Sequence, residues 1–279
     1  MIIKDLIQAS RIKVESRLDG DLAIEVLMAY CLDISKEQLF MSLDQGVTVE
    51  VQNEFSLLLD RFVEGEPVSQ LVNNKEFYGL DFYVDKNVLT PRPETELLVE
   101  KVMEYCNGRG KLRIIDVGTG SGCIAIAIGK SLDDVIVSGS DVSEEALKIA
   151  AINAKRHGLS DKIKFIQSDL LDSIEGEFDV VVANLPYIGT EKYNFVSADV
   201  KKYEPNVALF GGDNGLRLYE KLFNELRLKS WKPKLLLGEF GFLQGEEMRL
   251  LLNKYFEKEK VFIINDHASI ERVFMVYFE

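Results

Sequence analysis

From Leu112 onward the sequence alternates between short apolar runs and helical patterns, which limits the chain to a few architectures. Seven runs predict strands: Leu112–Val117, Val135–Val142, Ile163–Gln167, Phe178–Ala183, Pro233–Phe240, Val261–Asn265 and Val273–Phe278. Four periodic segments predict helices: Cys123–Lys130, Glu144–Arg156, Leu216–Leu228 and Glu246–Phe256. Continuous apolar strands are typical of a parallel sheet covered by helices on both faces. The gap between the last two runs leaves no room for a crossover helix, so that pair should be antiparallel.

The first part of the chain has a different pattern. Residues 1–75 carry apolar side chains at helical spacing, which predicts a small helical domain. An aromatic, alternating stretch at 77–84 with a central glycine predicts a hairpin within a linker over residues 76–90. Pro93, followed by acidic residues, predicts the first turn of a helix that reaches about Tyr105. The second domain is then expected over residues 91–279.

Composition narrows the class of partner. The net charge of −13 favours a small-molecule or protein partner, because proteins that grip a nucleic-acid backbone normally carry a basic face. No apolar run reaches the roughly 18 residues of a membrane span, and the start of the chain does not resemble a signal peptide. Cys31, Cys106 and Cys123 are scattered, so we expect reduced thiols in a cytoplasmic protein, with no disulfide and no metal site.

A glycine-rich turn lies between the first strand of the second domain and the helix that follows. Glycines at such a turn let the backbone bend sharply and let a ligand lie against it. The third glycine comes one residue too early for the dinucleotide fingerprint, and no Gly-Lys-Ser/Thr of a phosphate loop is present. The turn therefore predicts a ligand without phosphates, such as S-adenosylmethionine, with Asp116 near its ammonium group. The expected contacts are Asp116, Gly118, Thr119, Gly120, Ser121 and Gly122.

Acidic residues also end the next two strands. Asp141 is placed to accept the hydroxyl groups of a ribose, and Asp169 with Leu170 is placed where an adenine ring would lie. Each acid alone is more typical of a solvated strand end. Because ligands of such sheets bind at the carboxyl ends of the strands, acids at successive strand ends favour one cofactor site.

The tetrapeptide Asn184-Leu185-Pro186-Tyr187 directly follows the fourth predicted strand. A carboxamide nitrogen is a poor nucleophile, because its lone pair is delocalised, and it must be held with that pair aimed at the methyl group. The side-chain oxygen of Asn184 and a main-chain carbonyl such as that of Leu185 can each accept one N–H of an acceptor NH2 group. Tyr187 can stack on the planar group. In isolation an Asn-x-Pro segment is more often a turn, and neither His157 nor His267 is assigned to catalysis.

The sequence resembles the release-factor glutamine N5-methyltransferases (the HemK/PrmC family) over essentially its whole length. The segment at 88–97, Val-Leu-Thr-Pro-Arg-Pro-Glu-Thr-Glu-Leu, joined to the Asn-x-Pro-Tyr segment is the most specific part. Further shared stretches are Gly65–Gln70, Phe77–Leu80, Asp116–Gly122, Tyr203-Glu204-Pro205, Ala208-Leu209 and Gly211-Gly212.

The resemblance implies a fold, a substrate and a set of site residues. The fold would be a seven-stranded class I S-adenosylmethionine-dependent methyltransferase (Rossmann-like) α/β domain with a small helical N-terminal domain that docks release factors. The family methylates the glutamine of the Gly-Gly-Gln motif in peptide-chain release factors, with S-adenosylhomocysteine as product. Cofactor contacts would fall on Gly118 to Gly122, Asp141, Leu170 and Asn184, and acceptor contacts on Asn184, Leu185, Pro186 and Tyr187. We expect Asn184, Pro186 and Tyr187 to be catalytic and the protein to be a monomer.

One departure from the family pattern leaves a second acceptor open. The family usually has Pro where this chain has Leu185, and Leu keeps the carbonyl but releases the φ restraint. The Asn-Leu-Pro-Tyr form is also similar to the rRNA adenine dimethyltransferases. The alternatives are therefore an N6-adenine methyltransferase acting on nucleic acid, and a non-enzymatic docking module that retains a cofactor pocket.

Overall fold

The computed structural model of the chain describes residues 1–15 and 17–278. Its contacts divide the chain into two compact units, Met1–Asn74 and Lys75–Glu279. No helix among these described residues is both long and apolar enough to cross a bilayer.

The first unit is helical, as the apolar spacing predicts. Its helices are α1 (Ile3–Val14), α2 (Gly20–Cys31), α3 (Lys36–Met41), α4 (Val49–Val63) and α5 (Val68–Leu71). Helix α3 begins with a capping box, in which Ser35 and Gln38 each accept a hydrogen bond from the other's main-chain N–H. Ile24, Leu27, Phe55 and Phe62 are almost fully buried and form the centre of this unit's own core.

A two-stranded hairpin opens the second unit. Strands β1 (Lys75–Phe77) and β2 (Leu80–Phe82) pair antiparallel around Tyr78-Gly79, where both residues have positive φ angles of 54° and 68°. Positive φ at both central residues is the geometry of the two-residue hairpin turn, which glycine favours. Phe77 and Phe82 are buried in a core that they share with the main sheet. The expected helix at Pro93 begins as a 3-10 turn, Pro93–Thr95, and continues as α6 (Glu96–Cys106).

The remaining elements alternate along the chain as predicted. The strands are β3 (Leu112–Val117), β4 (Val135–Asp141), β5 (Ile163–Gln167), β6 (Val180–Ala183), β7 (Leu235–Glu239), β8 (Lys260–Asn265) and β9 (Glu271–Tyr277). The helices are α7 (Cys123–Ser131), α8 (Glu144–Arg156), α9 (Ala198–Tyr203), α10 (Asn206–Leu209), α11 (Arg217–Leu228) and α12 (Gly245–Tyr255). The short helices α9 and α10 were not expected from the sequence.

These strands form one seven-stranded sheet in the order β5-β4-β3-β6-β7-β9-β8. Strands β3 to β7 are parallel, and β9 runs antiparallel between β7 and β8, which confirms the antiparallel final pair. Successive side chains of β6 alternate between two cores: Val180 and Val182 face one, and Val181 and Ala183 face the other. Both faces of the central strands are therefore covered, which explains their continuous apolar runs.

We expect Phe274→Ala to lower the free energy of unfolding by roughly 3–5 kcal/mol, because Phe274 is fully buried and leaves a large cavity when truncated. Its ring lies 5.2 Å from that of Tyr219 and 5.6 Å from that of Phe223, centroid to centroid. Urea unfolding measures the change. Phe262→Ala is the control, because Phe262 is 48% exposed on β8. A comparable loss of stability in that variant would contradict the placement of Phe274 at the centre of the core.

Candidate active site

The carboxyl ends of four parallel strands meet at one edge of the sheet. Strand β3 leads into the glycine-rich turn, β4 ends at Asp141, β6 leads into Asn184, and β7 ends at Glu239. The strand order runs one way from β3 through β4 and the other way from β6 through β7, so the switch point lies between β3 and β6. Ligands of open α/β sheets bind at this position.

The glycine-rich turn has left-handed backbone at Gly118, Gly120 and Gly122, with φ angles of 76°, 54° and 81°. A Cβ added to Gly120 would meet no atom within 4 Å, so this stretch of backbone faces open space. A Cβ added to Gly122 would lie 3.1 Å from the Cβ of Ala150, so this glycine allows close packing of α7 against α8. The turn is thus shaped both for a ligand and for the fold.

Asp141 lies at the mouth of this turn. Its Oδ2 accepts a hydrogen bond from Gly120 N at 2.9 Å, and its Oδ1 accepts one from Ser143 N at 2.9 Å. Burial raises the pKa of Asp141 above its ordinary value. Each carboxylate oxygen still has a lone pair for a ribose hydroxyl. Asp141 lines a cavity of about 70 Å³ together with Gly118, Thr119, Gly120 and Ser121.

Asp116 lies beneath the turn and is fully buried. Its Oδ2 accepts hydrogen bonds from Thr119 Oγ1 at 2.6 Å and from Ala125 N at 3.3 Å. Its Oδ1 has no hydrogen-bond partner among the described residues. Burial raises the pKa of Asp116 to about 7. These contacts brace the turn, and the expected approach of Asp116 to an ammonium group stays a prediction.

Two expected cofactor residues lie apart from this cavity. Asp169 forms an ion pair with Lys221 on α11, and neither Asp169 nor Leu170 is among the residues that line the cavity. Leu170 has a positive φ of 53° and packs into the core beside α11. The structure therefore brings Gly118 to Ser121, Asp141 and Asn184 to one cavity, and leaves the adenine role of Asp169 and Leu170 as a prediction.

A second cavity of about 400 Å³ adjoins the first. It is lined by the whole Asn184–Tyr187 segment, by aromatic residues such as Tyr193, Phe195 and Phe242, and by the segment around α9 and α10. Leu89, Arg92, Asn184 and Ala208 line both cavities. Asn184 thus stands at the boundary between the cofactor side and the acceptor side.

The Asn184 carboxamide is held by two buried side chains that the sequence analysis missed. Its Nδ2 donates to Thr95 Oγ1 at 2.9 Å and to Glu239 Oε2 at 3.2 Å. Thr95 Oγ1 in turn donates to Glu239 Oε2 at 2.7 Å. Glu239 could have been recognised as a site residue, because it is an acid at the end of a predicted apolar strand. Thr95 belongs to the most specific shared segment but was interpreted only as part of a helix start.

The other members of the tetrapeptide are fixed through both backbone and side chain. Tyr187 Oη donates to Glu239 Oε1 at 3.0 Å, and Gln244 Nε2 donates to the Tyr187 carbonyl at 2.8 Å. Burial, followed by the charge of Glu239, raises the pKa of Tyr187 well above its ordinary value, so its phenol stays neutral. Leu185 N donates to Tyr219 Oη at 3.3 Å, and Pro186 lines the acceptor cavity.

An ion pair joins the segment that contains α9 and α10 to the Pro-Arg-Pro segment. Arg92 Nη2 donates to both carboxylate oxygens of Glu204 at 2.8 Å, and the Glu204 side chain is 1% exposed. Glu204 follows α9, so the pair joins the segment before α10 to the Pro-Arg-Pro segment. Burial raises the pKa of Glu204, while the Arg92 guanidinium opposes that shift. The sequence analysis noted both segments and assigned a role to neither residue.

Comparisons with known proteins agree with this architecture. Residues 93–200 match the family model "Methyltransferase small domain", and residues 9–72 match "PrmC N-terminal domain". A release factor glutamine methyltransferase of Rhodopirellula baltica is 36% identical over 92% of this chain and 88% of its own length. The enzyme of that name from Koribacter versatilis is 39% identical over 90% of this chain and 89% of its own length. The chain belongs to the release factor glutamine methyltransferase family.

Solved structures with low sequence identity share the fold. The catalytic domain of human METTL16 covers 72% of this chain and 77% of its own, with a TM-score of 0.58 at 16% identity. A methyltransferase from Pyrococcus furiosus covers 80% of this chain and 98% of its own, with a TM-score of 0.54 at 16% identity. The expected seven-stranded methyltransferase fold with its helical N-terminal domain is confirmed.

The methyl donor of this family, S-adenosylmethionine, is therefore the cofactor of the chain. The residues at the cavity fit it. The open side of Gly120 admits a ligand against the backbone, and Asp141 offers oxygens suited to a ribose. A carboxylate at the turn would repel phosphates, while a cationic sulfonium is compatible with it.

We expect Gly120→Ala to weaken binding of S-adenosylhomocysteine by about tenfold or more, because the new methyl group would occupy the open side of the turn. Isothermal titration calorimetry measures the change. Gly108→Ala is the matched control, since Gly108 also has a positive φ of 72° and open space around its Cβ position. Equal affinity in the two variants would contradict a ligand at Gly120.

We expect Asp116 to make the ligand-free protein less stable as pH rises from about 4 to about 7. Its pKa is raised in the folded state, so between these pH values the folded chain binds a proton that the unfolded chain has released. Asp116→Asn should gain stability relative to wild type as pH increases over this window. Urea unfolding at several pH values measures the difference, with Asp133→Asn at an exposed turn as control. A difference that does not change with pH would disprove the shift.

Proposed function

We propose that the chain transfers a methyl group from S-adenosylmethionine to the side-chain amide N5 of the glutamine in the Gly-Gly-Gln motif of peptide-chain release factors. The observation that carries the proposal is the fixed carboxamide of Asn184. Its Nδ2 donates to Thr95 and Glu239, so its Oδ1 is the atom left to accept a bond at the boundary of the two cavities.

The acceptor amide is oriented by two oxygens. Asn184 Oδ1 accepts one N–H of the glutamine NH2 group, and the Leu185 carbonyl, which accepts no hydrogen bond from the described residues, takes the other. Two acceptors on the N–H groups turn the nitrogen lone pair toward the cofactor side. They also stabilise the positive charge that grows on nitrogen during attack.

S-adenosylmethionine would be held by Gly118 to Ser121 and Asp141 and would supply an electrophilic methyl carbon for the amide nitrogen. S-adenosylhomocysteine would be the leaving group, and the proton of the methylated nitrogen would pass to water. The protein needs no general base before transfer. Tyr187 stays a neutral phenol, and its ring and Pro186 provide an apolar surface for the planar amide. Removal of water from the cavity strengthens the hydrogen bonds to Asn184 and Leu185.

We infer a division of labour between the two units. The helical unit, over residues 1–75, docks the release factor, which is supported by its match to the PrmC N-terminal model. Residues 76–90 connect it to the catalytic domain at 91–279. We further propose that the enzyme works as a monomer in the cytoplasm, where release factors act, and binds no nucleic acid directly.

Asn184→Ala should lower the rate of glutamine methylation by about 10²-fold or more, because one hydrogen-bond partner of the transition state is lost. Mass spectrometry of a release factor incubated with enzyme and S-adenosylmethionine measures the rate. Asn224→Ala is the control, since Asn224 lies on the exposed face of α11 and its Nδ2 donates to the main-chain carbonyl of Glu220.

Near-wild-type turnover by Asn184→Ala would refute the mechanism. Replacing the motif glutamine in the release factor should abolish labelling. Methylation of adenine in RNA, with no labelling of the release factor, would instead support an N6-adenine methyltransferase, since an exocyclic amine presents the same two N–H groups.

A further inference from the structure

Glu239 is a buried acid at the end of β7, and side-chain donors surround its carboxylate. Glu239 is 1% exposed to solvent. Thr95 Oγ1 and Asn184 Nδ2 donate to Oε2, and Tyr187 Oη donates to Oε1. The three donors come from two segments of the chain, the start of α6 and the Asn184–Tyr187 segment, and the second of these lines the acceptor cavity. Nothing in the sequence analysis assigned a role to Glu239 or Thr95.

The donors and acceptors in this cluster can be assigned. Asn184 Nδ2 lies 2.9 Å from Thr95 Oγ1 and 3.2 Å from Glu239 Oε2, so both oxygens lie on the N–H side of the carboxamide. Because Thr95 Oγ1 accepts from Asn184, its own proton is directed at Glu239. Each of these contacts presents Glu239 with a donor, which suits an ionised carboxylate. Burial raises the pKa of Glu239, and the hydrogen bonds from Thr95 and Tyr187 oppose that shift.

This arrangement leaves one orientation for the Asn184 carboxamide. A flipped amide would place Oδ1 against the Glu239 carboxylate, where two oxygens repel, and would point two N–H groups at the acceptor cavity. An NH2 group cannot accept a bond from the glutamine NH2. The orientation that the reaction requires is therefore selected by Glu239, with Thr95 as the second contact.

We propose that Thr95 and Glu239 are positioning residues that lock Asn184 with its oxygen toward the acceptor, and that the Glu239 charge helps to stabilise the positive charge that develops on the acceptor nitrogen. The inference rests on the proposed function, because it needs an acceptor that donates N–H groups. Neither residue is required to touch the acceptor. Their effect passes through Asn184 and Tyr187.

A purely structural role makes a different prediction. Thr95 and Glu239 also tie the Pro93–Thr95 turn to the sheet, so their loss could simply loosen the site. Loosening would reduce cofactor affinity, release-factor affinity and stability together. Loss of orientation alone would reduce kcat and leave the KM for the release factor and the affinity for S-adenosylhomocysteine nearly unchanged.

The test compares Thr95→Val, which removes the hydroxyl at nearly the size of threonine, with Thr95→Ser, which keeps the hydroxyl and loses the methyl group. We expect Thr95→Val and Glu239→Gln to lower kcat by roughly 10- to 100-fold, the size typical of losing a group that orients a ligand-binding residue. Thr95→Ser should restore kcat to within about threefold of wild type. Glu220→Gln is the matched control, because Glu220 is a partly buried acid on α11 that accepts from Lys254 Nζ and Tyr255 Oη, away from both cavities.

A second readout does not depend on the acceptor. In wild type the side-chain NH2 protons of Asn184 should exchange slowly with solvent by NMR, with the resonances assigned by their loss in Asn184→Asp. Thr95→Val should accelerate this exchange, and Thr95→Ser should not. Equal exchange rates and equal kcat values in the Val and Ser variants would overturn the inference. So would a loss of kcat matched by a proportional loss of cofactor affinity in both Thr95→Val and Glu239→Gln.

The two readouts separate the two proposals. Suppose that wild type labels no release factor, but that Thr95→Val still accelerates exchange of the Asn184 NH2 protons with solvent. The proposed acceptor is then wrong, and the positioning role of Thr95 stands. If wild type labels the motif glutamine and the two Thr95 variants behave alike, the acceptor stands and the positioning role is wrong.

Discussion

The arrangement of the site depends on one buried carboxylate with three hydrogen-bond donors. A charge removed from water is costly unless it is well solvated by the protein, and Glu239 receives bonds from Thr95, Asn184 and Tyr187. Thr95 is 144 residues distant along the chain and Asn184 is 55. Because each donor satisfies the charge and is itself fixed by it, the start of α6, the end of β6 and the end of β7 form one unit.

The sheet supplies the framework that makes this convergence possible. Parallel strands end at the same edge, and the reversal of strand order between β3 and β6 opens a crevice there. The cofactor turn follows β3 and the acceptor segment follows β6, so the two reactants approach each other across neighbouring strands. The ion pair between Arg92 and Glu204 joins the segment that contains α9 and α10 to the same edge of the sheet.

Features that depend on residues close together in the sequence could be predicted. The glycine-rich turn, the strand end at Asp141 and the position of Asn184 follow from local pattern and from the rule that parallel strand ends meet. Thr95 and Glu239 could not be assigned, because their roles depend on contacts between distant segments. A single acid after an apolar strand is equally consistent with a solvated end.

Two further differences have local causes. The helices α9 and α10 span six and four residues, too few for a helical period to stand out. Leu170 adopts a left-handed backbone, which directs its side chain into the core beside α11. A strand-end position by itself therefore does not determine whether a side chain faces the ligand or the protein interior.

The contact between the cofactor turn and the acceptor segment has an evolutionary consequence. A Cβ at Gly118 would lie 3.0 Å from Cδ2 of Leu185, whose side chain is almost fully buried. Leu185 thus fills the space next to Gly118. Gly118 is constrained twice, by its φ of 76° and by the Leu185 side chain, so a smaller residue at 185 would not by itself admit a larger residue at 118.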